Sequence, residues 1–223
     1  MKNLLYQLSI YLFLILLSCQ CYAQINIKCA GKNYYIPEFK DWPVKPKYTP
    51  MFEMLNVLTP ITESKYDIEI RANYYTLSLN SGMTITIKGN AQELIVQTMR
   101  YNYAGNIADS LKPKGTKIAK QGNLKYFYSV KSITAPDTLL TSLIKNHLFN
   151  FDEKAIKDNL AKAKTEIYDR NVLDGYSIGF EVKAKDHYRA FGISPDRYPL
   201  NIKELKPIGL LDYTFGTLIK LTR

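Results

Sequence analysis

Between Tyr66 and Tyr103 apolar residues recur at nearly every second position, broken only by short polar turns, and a period of two confines such a segment to extended strands. Ile68, Ile70 and Ala72 alternate with Asp67, Glu69, Arg71 and Asn73, after which the apolar parity shifts to Tyr75, Leu77 and Leu79. A parity shift inside one run predicts a bulge or bend near Asn73 and Tyr74, because the strand otherwise turns the wrong side chains to the core. Asn80, Ser81 and Gly82 supply a turn, Met83, Ile85 and Ile87 alternate with Thr84, Thr86 and Lys88, and Gly89-Asn90 turns the chain again. Residues 93–103 complete a three-stranded meander, with a short helix over 91–100 as the competing assignment. Residues 124–130 add a fourth strand, carrying Leu124, Tyr126, Tyr128 and Val130 on one face.

Upstream, Ile25 to Cys29 and Lys32 to Ile36 flank Ala30-Gly31 and predict a first hairpin. Five of the ten prolines then fall at positions 37, 43, 46, 50 and 60, each removing a backbone donor and fixing φ. The stretch 37–60 is therefore expected to be an irregular wrapping segment, anchored by Trp42.

Downstream, the period changes to that of a helix. Thr134 and Asp137 have capping-box spacing around Pro136, ahead of Leu140, Leu143, Ile144, His147 and Leu148. Asn150 and Glu153 repeat the device ahead of Ile156, Leu160, Ala163 and Ile167. His147 falls on the apolar stripe of the first helix and is expected to be semi-buried. After Asp174-Gly175, Tyr176, Ile178, Phe180, Val182 and Ala184 alternate with polar residues, and Lys185-Asp186 turns the chain into a C-terminal hairpin. The tail from Ile202 reads as a terminal helix. The sum is an α+β fold: an antiparallel sheet, made of a meander and a C-terminal hairpin, covered on one face by two capped helices and a C-terminal helix.

Residues 1–23 have the form of a secretory signal peptide: Lys2, an apolar stretch over 4–17, and Cys21, Tyr22 and Ala23 ending in small residues at −3 and −1. This leaves 24–223 as one α+β domain without a membrane span. Leu16, Leu17, Ser18 and Cys19 also fit a bacterial lipobox, in which Cys19 would carry the lipid. The chain has three cysteines and no Asn-x-Ser/Thr sequon, so neither a disulfide framework nor a glycosylated eukaryotic protein is expected. The address is a bacterial envelope: periplasmic, secreted, or lipid-anchored to the outer membrane.

Chemistry-bearing motifs are few. Ser142 and Lys145 form S-x-x-K, but the S-D-N and K-T-G partners of a Ser-Lys acyltransferase do not occur. Two histidines without neighbouring ligands give no zinc pattern, and no nucleotide or calcium loop appears, so no cofactor and no catalytic residue is assigned. Glu181 is the acid of most interest, since alternation sets it on the polar strand face near Tyr188 and Lys183. No acid lies between Asp109 and Asp137, where Lys112, Lys114, Lys117, Lys120, Lys125 and Lys131 fall. With 30 Lys and Arg against 20 Asp and Glu the formal charge is +10, and the lysine stretch reads either as a surface for an anionic partner or glycan or as a solvated loop followed by a lysine-guarded edge strand. Nucleic acid is disfavoured, because the stretch has no arginine and export removes the partner.

The function these features support is a non-catalytic binding module for an anionic or glycan ligand or an envelope protein. Tyr101, Tyr103, Tyr126, Tyr128 and Tyr188 are its stacking candidates, with Lys125 and Glu181 as charged contacts. The alternatives are a small secreted hydrolase whose carboxylate pair includes Glu181, and a structural component of an envelope complex.

Overall fold

The computed structural model describes residues 24–39, 51–76, 81–152, 154–156, 158, 176–194 and 206–222. Cys19, the apolar leader, residues 40–50 of the Pro-rich segment with Trp42, and most of the second expected helix lie outside the described residues.

The architecture is α+β and dominated by antiparallel sheet. Strands β1 (Gln24–Cys29) and β2 (Lys32–Pro37) form a separate hairpin. Its turn residues Ala30 and Gly31 both take positive φ, 48° and 77°, the geometry that a two-residue hairpin loop needs to match strand twist. The tip docks on the turn after β4, where Ala30 and Gly31 donate their amides to the carbonyls of Asn90 and Ala91.

The larger sheet has seven strands in the order β6-β7-β5-β4-β3-β8-β9, all antiparallel neighbours. They are β3 (Ile68–Thr76), β4 (Ser81–Gly89), β5 (Leu94–Tyr103), β6 (Lys117–Gln121), β7 (Leu124–Thr134), β8 (Tyr176–Ala184) and β9 (His187–Ile193). The C-terminal hairpin joins the meander along β3, so the first meander strand is internal. Residues 94–103 are strand, not helix, and β6 is an edge strand in a stretch that composition alone reads as a solvated lysine loop.

The bulge expected in β3 is absent. Pairing with β4 and β8 runs without interruption from Ile68 to Tyr75. The shift has another cause: Tyr74 stays on the aliphatic face with Ile70 and Ala72, while Tyr75 follows Glu69, Arg71 and Asn73 on the other. That second face is itself covered, so apolar and polar residues alike are buried from Ile68 to Asn73.

One face of the sheet carries Ile68, Ile70, Ile85, Ile87, Val96, Ile178, Phe180 and Val182, packed in one cluster with Ile25, Ile27 and Ile36 of the hairpin. Leu139, Leu140 and Leu143 of α2 (Leu139–Lys145) belong to it, as do Ile208, Leu211, Phe215 and Leu218 of α3 (Lys206–Leu221), spaced for one helical stripe. Cys29 sits at the bottom of this core, fully buried, its Sγ donating to the Glu93 carbonyl at 3.5 Å. A Cβ on Gly89 would lie 2.3 Å from that sulfur, so only glycine fits there.

The first expected capping box does not form, and Glu153 of the second lies outside the described residues. Thr134 ends β7 and Asp137 pairs with Lys32 at 2.8 Å, while Thr138 occupies the N-cap of α2 without a side-chain bond. The turn at 154–156 is capped by Asp152, whose Oδ1 accepts from the Ala155 amide at 2.8 Å. Asn150 instead lies 3.3 Å from His147 Nδ1. His147 is exposed, not semi-buried, because α2 stops before it and the chain reverses there with φ 61°.

Candidate functional site

The second face of the sheet is closed by a strap. Helix α1 (Met51–Met54) continues through Val57 and Leu58, whose amides both bond to the Phe52 carbonyl, to a 3-10 turn at Ile61–Glu63. Phe52 is fully buried and meets Tyr101 and Tyr128 edge-on at centroid distances of 5.5 and 6.2 Å. Tyr101, Tyr126 and Tyr103 continue the edge-to-face chain at 5.9 and 5.6 Å, an arrangement in which ring edges meet ring faces favourably. Four of the expected stacking tyrosines are therefore together. Tyr101 and Tyr126 are buried beneath the strap, however, and Tyr103 is 43% exposed. Lys125 falls on the opposite face by strand alternation, bonded to Asp109 at 3.0 Å and to the Ile107 carbonyl.

Beside the aromatic cluster the strap closes on buried charge. Arg71, 1% exposed, donates to Glu69 at 2.8 Å, to Glu53 of the strap at 2.5 Å and to the Thr59 carbonyl at 2.8 Å. Ser64 also donates to Glu69, and Lys183 to the Ser64 carbonyl at 2.6 Å. Glu181 is next in the row. Asn73 Nδ2 donates to it at 3.2 Å and the Tyr188 hydroxyl at 3.4 Å, while Thr84 donates to Asn73 at 2.7 Å. Burial, then the neighbouring negative charge of Glu53, raises the Glu181 carboxyl to about 7, against the lowering effects of Arg71, Asn73 and Tyr188. Burial raises Glu53 as well, and Glu69 adds to it while Arg71 opposes. Glu181 and Tyr188 thus stand together, and the neighbouring acid whose charge acts on Glu181 is Glu53. Tyr75 joins the two clusters, since its phenol feels both Glu181 and Tyr101. Its ring lies so close over Gly179 that a Cβ there would come within 2.9 Å.

An open groove of about 880 Å³ lies on the aliphatic face, at the sheet end formed by the start of β4 and the end of β5, where α3 crosses. Tyr74, Arg100, Asn102, Tyr176, Asp212 and Tyr213 are among its lining residues. Tyr74 and Tyr176 stack at 6.0 Å with ring planes 21° apart, and the Tyr176 hydroxyl donates to Asp212 at 2.8 Å, which fixes the outer ring. The Tyr74 hydroxyl is buried and has no hydrogen-bond partner among the described residues, while Tyr213 is 76% exposed. Stacked rings bordered by an amide, a guanidinium and a carboxylate can hold a flat or ring-shaped polar ligand. Of the residues the sequence nominated, only Tyr101 reaches this groove. Tyr74 and Tyr176 carry a strand-end signal, but Asp212 and Tyr213 reach them only through the packing of α3.

Among the described residues, no group of three or more His, Cys, Asp or Glu can hold a metal ion, and no helix is long and apolar enough to cross a membrane. No protein-family model, curated protein or solved structure matches the chain.

Proposed function

We propose that this chain is an exported envelope protein whose 24–223 region acts as one binding domain, taking an anionic glycan in the groove between α3 and the sheet end. The observation that carries this is the stacked Tyr74 and Tyr176 pair, held by Asp212, in an open groove that also presents Arg100 and Asn102. Aromatic faces match the apolar faces of sugar rings, and the guanidinium supplies an anion contact. In the same proposal, helices cover one face of the sheet and the strap the other. The end of the sheet then remains for a ligand. Release by signal peptidase, or a lipid on Cys19, determines whether the domain is free or tethered.

The test is thermal stabilisation of residues 24–223 by anionic and neutral oligosaccharides. A ligand at 100 times its Kd adds about 2.7 kcal/mol, so the midpoint should rise by about 5–10 °C at about 2–4 °C per kcal/mol. Tyr213→Ala should abolish that rise without lowering the midpoint of the free protein. A rise that survives both Tyr213→Ala and Arg100→Ala places the ligand elsewhere.

A hydrolase is favoured by one observation, a Glu181 carboxyl raised to about 7 with Glu53 as the neighbouring acid. Glu181 lies under the strap and Glu53 belongs to it, so a substrate would have to displace the strap. Turnover of any glycan that Glu181→Gln abolishes, with stability retained, would establish this second function.

A further inference from the structure

The lysine stretch contains a surface that the groove does not use. Residues 106–115 are exposed without a break, and among them Leu111 is 72% and Ile107 45% exposed. Tyr103 and Leu124, each 43% exposed, belong to the same end of the sheet, because Tyr103 pairs with Tyr126 and the Ala104 amide bonds to the Lys125 carbonyl.

This arm is built, not loose. The Ile107 amide bonds to the Ala104 carbonyl, Leu111 to Ala108, and Thr116 to Pro113, and the Thr116 hydroxyl bonds to Pro113 again at 2.7 Å. Lys125 ties the arm to β7 through the Ile107 carbonyl and Asp109. Two aliphatic side chains are thus held out in water by backbone geometry, which is unfavourable unless something apolar covers them.

The surrounding charge defines what covers them. Asp109, the one acid of the arm, is neutralised by Lys125 and also faces Lys120. Lys112, Lys114, Lys117 and Lys120 are exposed, and Lys114 and Lys117 form no ion pair among the described residues. A partner must therefore be negative at its surface and apolar immediately beneath. A bilayer with anionic headgroups has that layering, and tyrosine favours its interface.

We infer that the arm at 103–125 docks on an anionic lipid bilayer, with Ile107 and Leu111 entering the headgroup boundary and the lysines resting against the headgroups. The contact is peripheral and spans nothing. It is independent of the glycan groove.

The experiment is co-sedimentation of residues 24–223, the region that remains if the expected signal peptide is removed, with vesicles. Vesicles of phosphatidylcholine carrying about a third phosphatidylglycerol should bind the protein, and pure phosphatidylcholine vesicles far less. Lys112→Glu with Lys114→Glu should weaken binding by at least about fivefold per charge removed, and raised salt should act in the same direction. Ile107→Ser with Leu111→Ser should weaken it at every salt concentration while leaving thermal stability unchanged, because both side chains are exposed. No binding to the anionic vesicles overturns the inference, as does binding indifferent to both double variants. Loss of binding to polyglutamate in the lysine variant, with no vesicle binding in the parent, would make the arm a protein-docking surface instead.

Discussion

In the middle of the seven-stranded sheet both faces are buried, yet they are built from opposite materials. One is filled by isoleucines and phenylalanines from three sources, the hairpin, the strands and the helices. The other holds Glu69, Arg71, Asn73, Thr84 and Glu181 at 4% exposure or less, closed by the 51–63 strap. Alternation along a strand normally separates a buried face from a wet one. Here the same alternation separates a face held by shape from a face held by pairing. Truncation on the first leaves a void, whereas truncation on the second leaves a charge.

The largest expected effect tests the charged face. Arg71→Leu strands Glu53 and Glu69 without their cation and should cost about 3–5 kcal/mol, read as a loss of thermal midpoint. Replacing Glu53, Glu69 and Arg71 together by apolar residues should recover most of that loss, since uncompensated charge is the cause. Phe180→Ala should also cost about 3–5 kcal/mol through the cavity it opens beside Phe191 and Phe215, and no partner substitution should recover it.

A pH titration sharpens the contrast. The folded Glu181 carboxyl is raised from 4.5 to about 7, so the folded state binds the extra proton between those values. Burial of the ionised form therefore costs nothing below about 4.5, and the cost grows as pH rises through 7, reaching about 3 kcal/mol. Glu53 is shifted in the same direction. The protein should be more stable near pH 5.5 than at pH 8, and Glu181→Gln should flatten that dependence. A pH-independent midpoint in the parent would refute the buried acid pair.

Smaller effects follow the same division. Thr84→Val removes one hydrogen bond to Asn73 and should cost about 1 kcal/mol, visible as faster hydrogen exchange near the strap. Asp137→Ala breaks only the exposed pair with Lys32 and should leave the midpoint where it is.

The aliphatic face was the more legible of the two. Ile25, Ile27 and the residues Ile68 to Ile87 declare their strands by period alone, and Ala30-Gly31 declares its turn. β6 stayed hidden because Lys117, Lys120 and Gln121 have no apolar alternation, only the pairing that β7 offers. The cap at Thr134 failed for a related reason: spacing cannot tell which nearby polar residue wins, and β7 claimed Thr134. Glu181 stood out because Tyr188 and Lys183 are local to its hairpin. Glu53 did not, since its role depends on where a proline-rich segment folds back, and no short-range pattern records that. The Tyr74 and Tyr176 groove required the position of α3, which only tertiary packing supplies.

Cys29 gives the molecule its own unfolding gauge. Burial, with the nearby charge of Asp67, raises its thiol to about 11, so almost no thiolate exists at neutral pH and the sulfur is sealed beneath Gly89. It is also the one cysteine of residues 24–223. A thiol-reactive dye should therefore label the folded protein at the rate at which the β1–β2 hairpin lifts from the sheet. Labelling kinetics would then time that opening without any engineered probe.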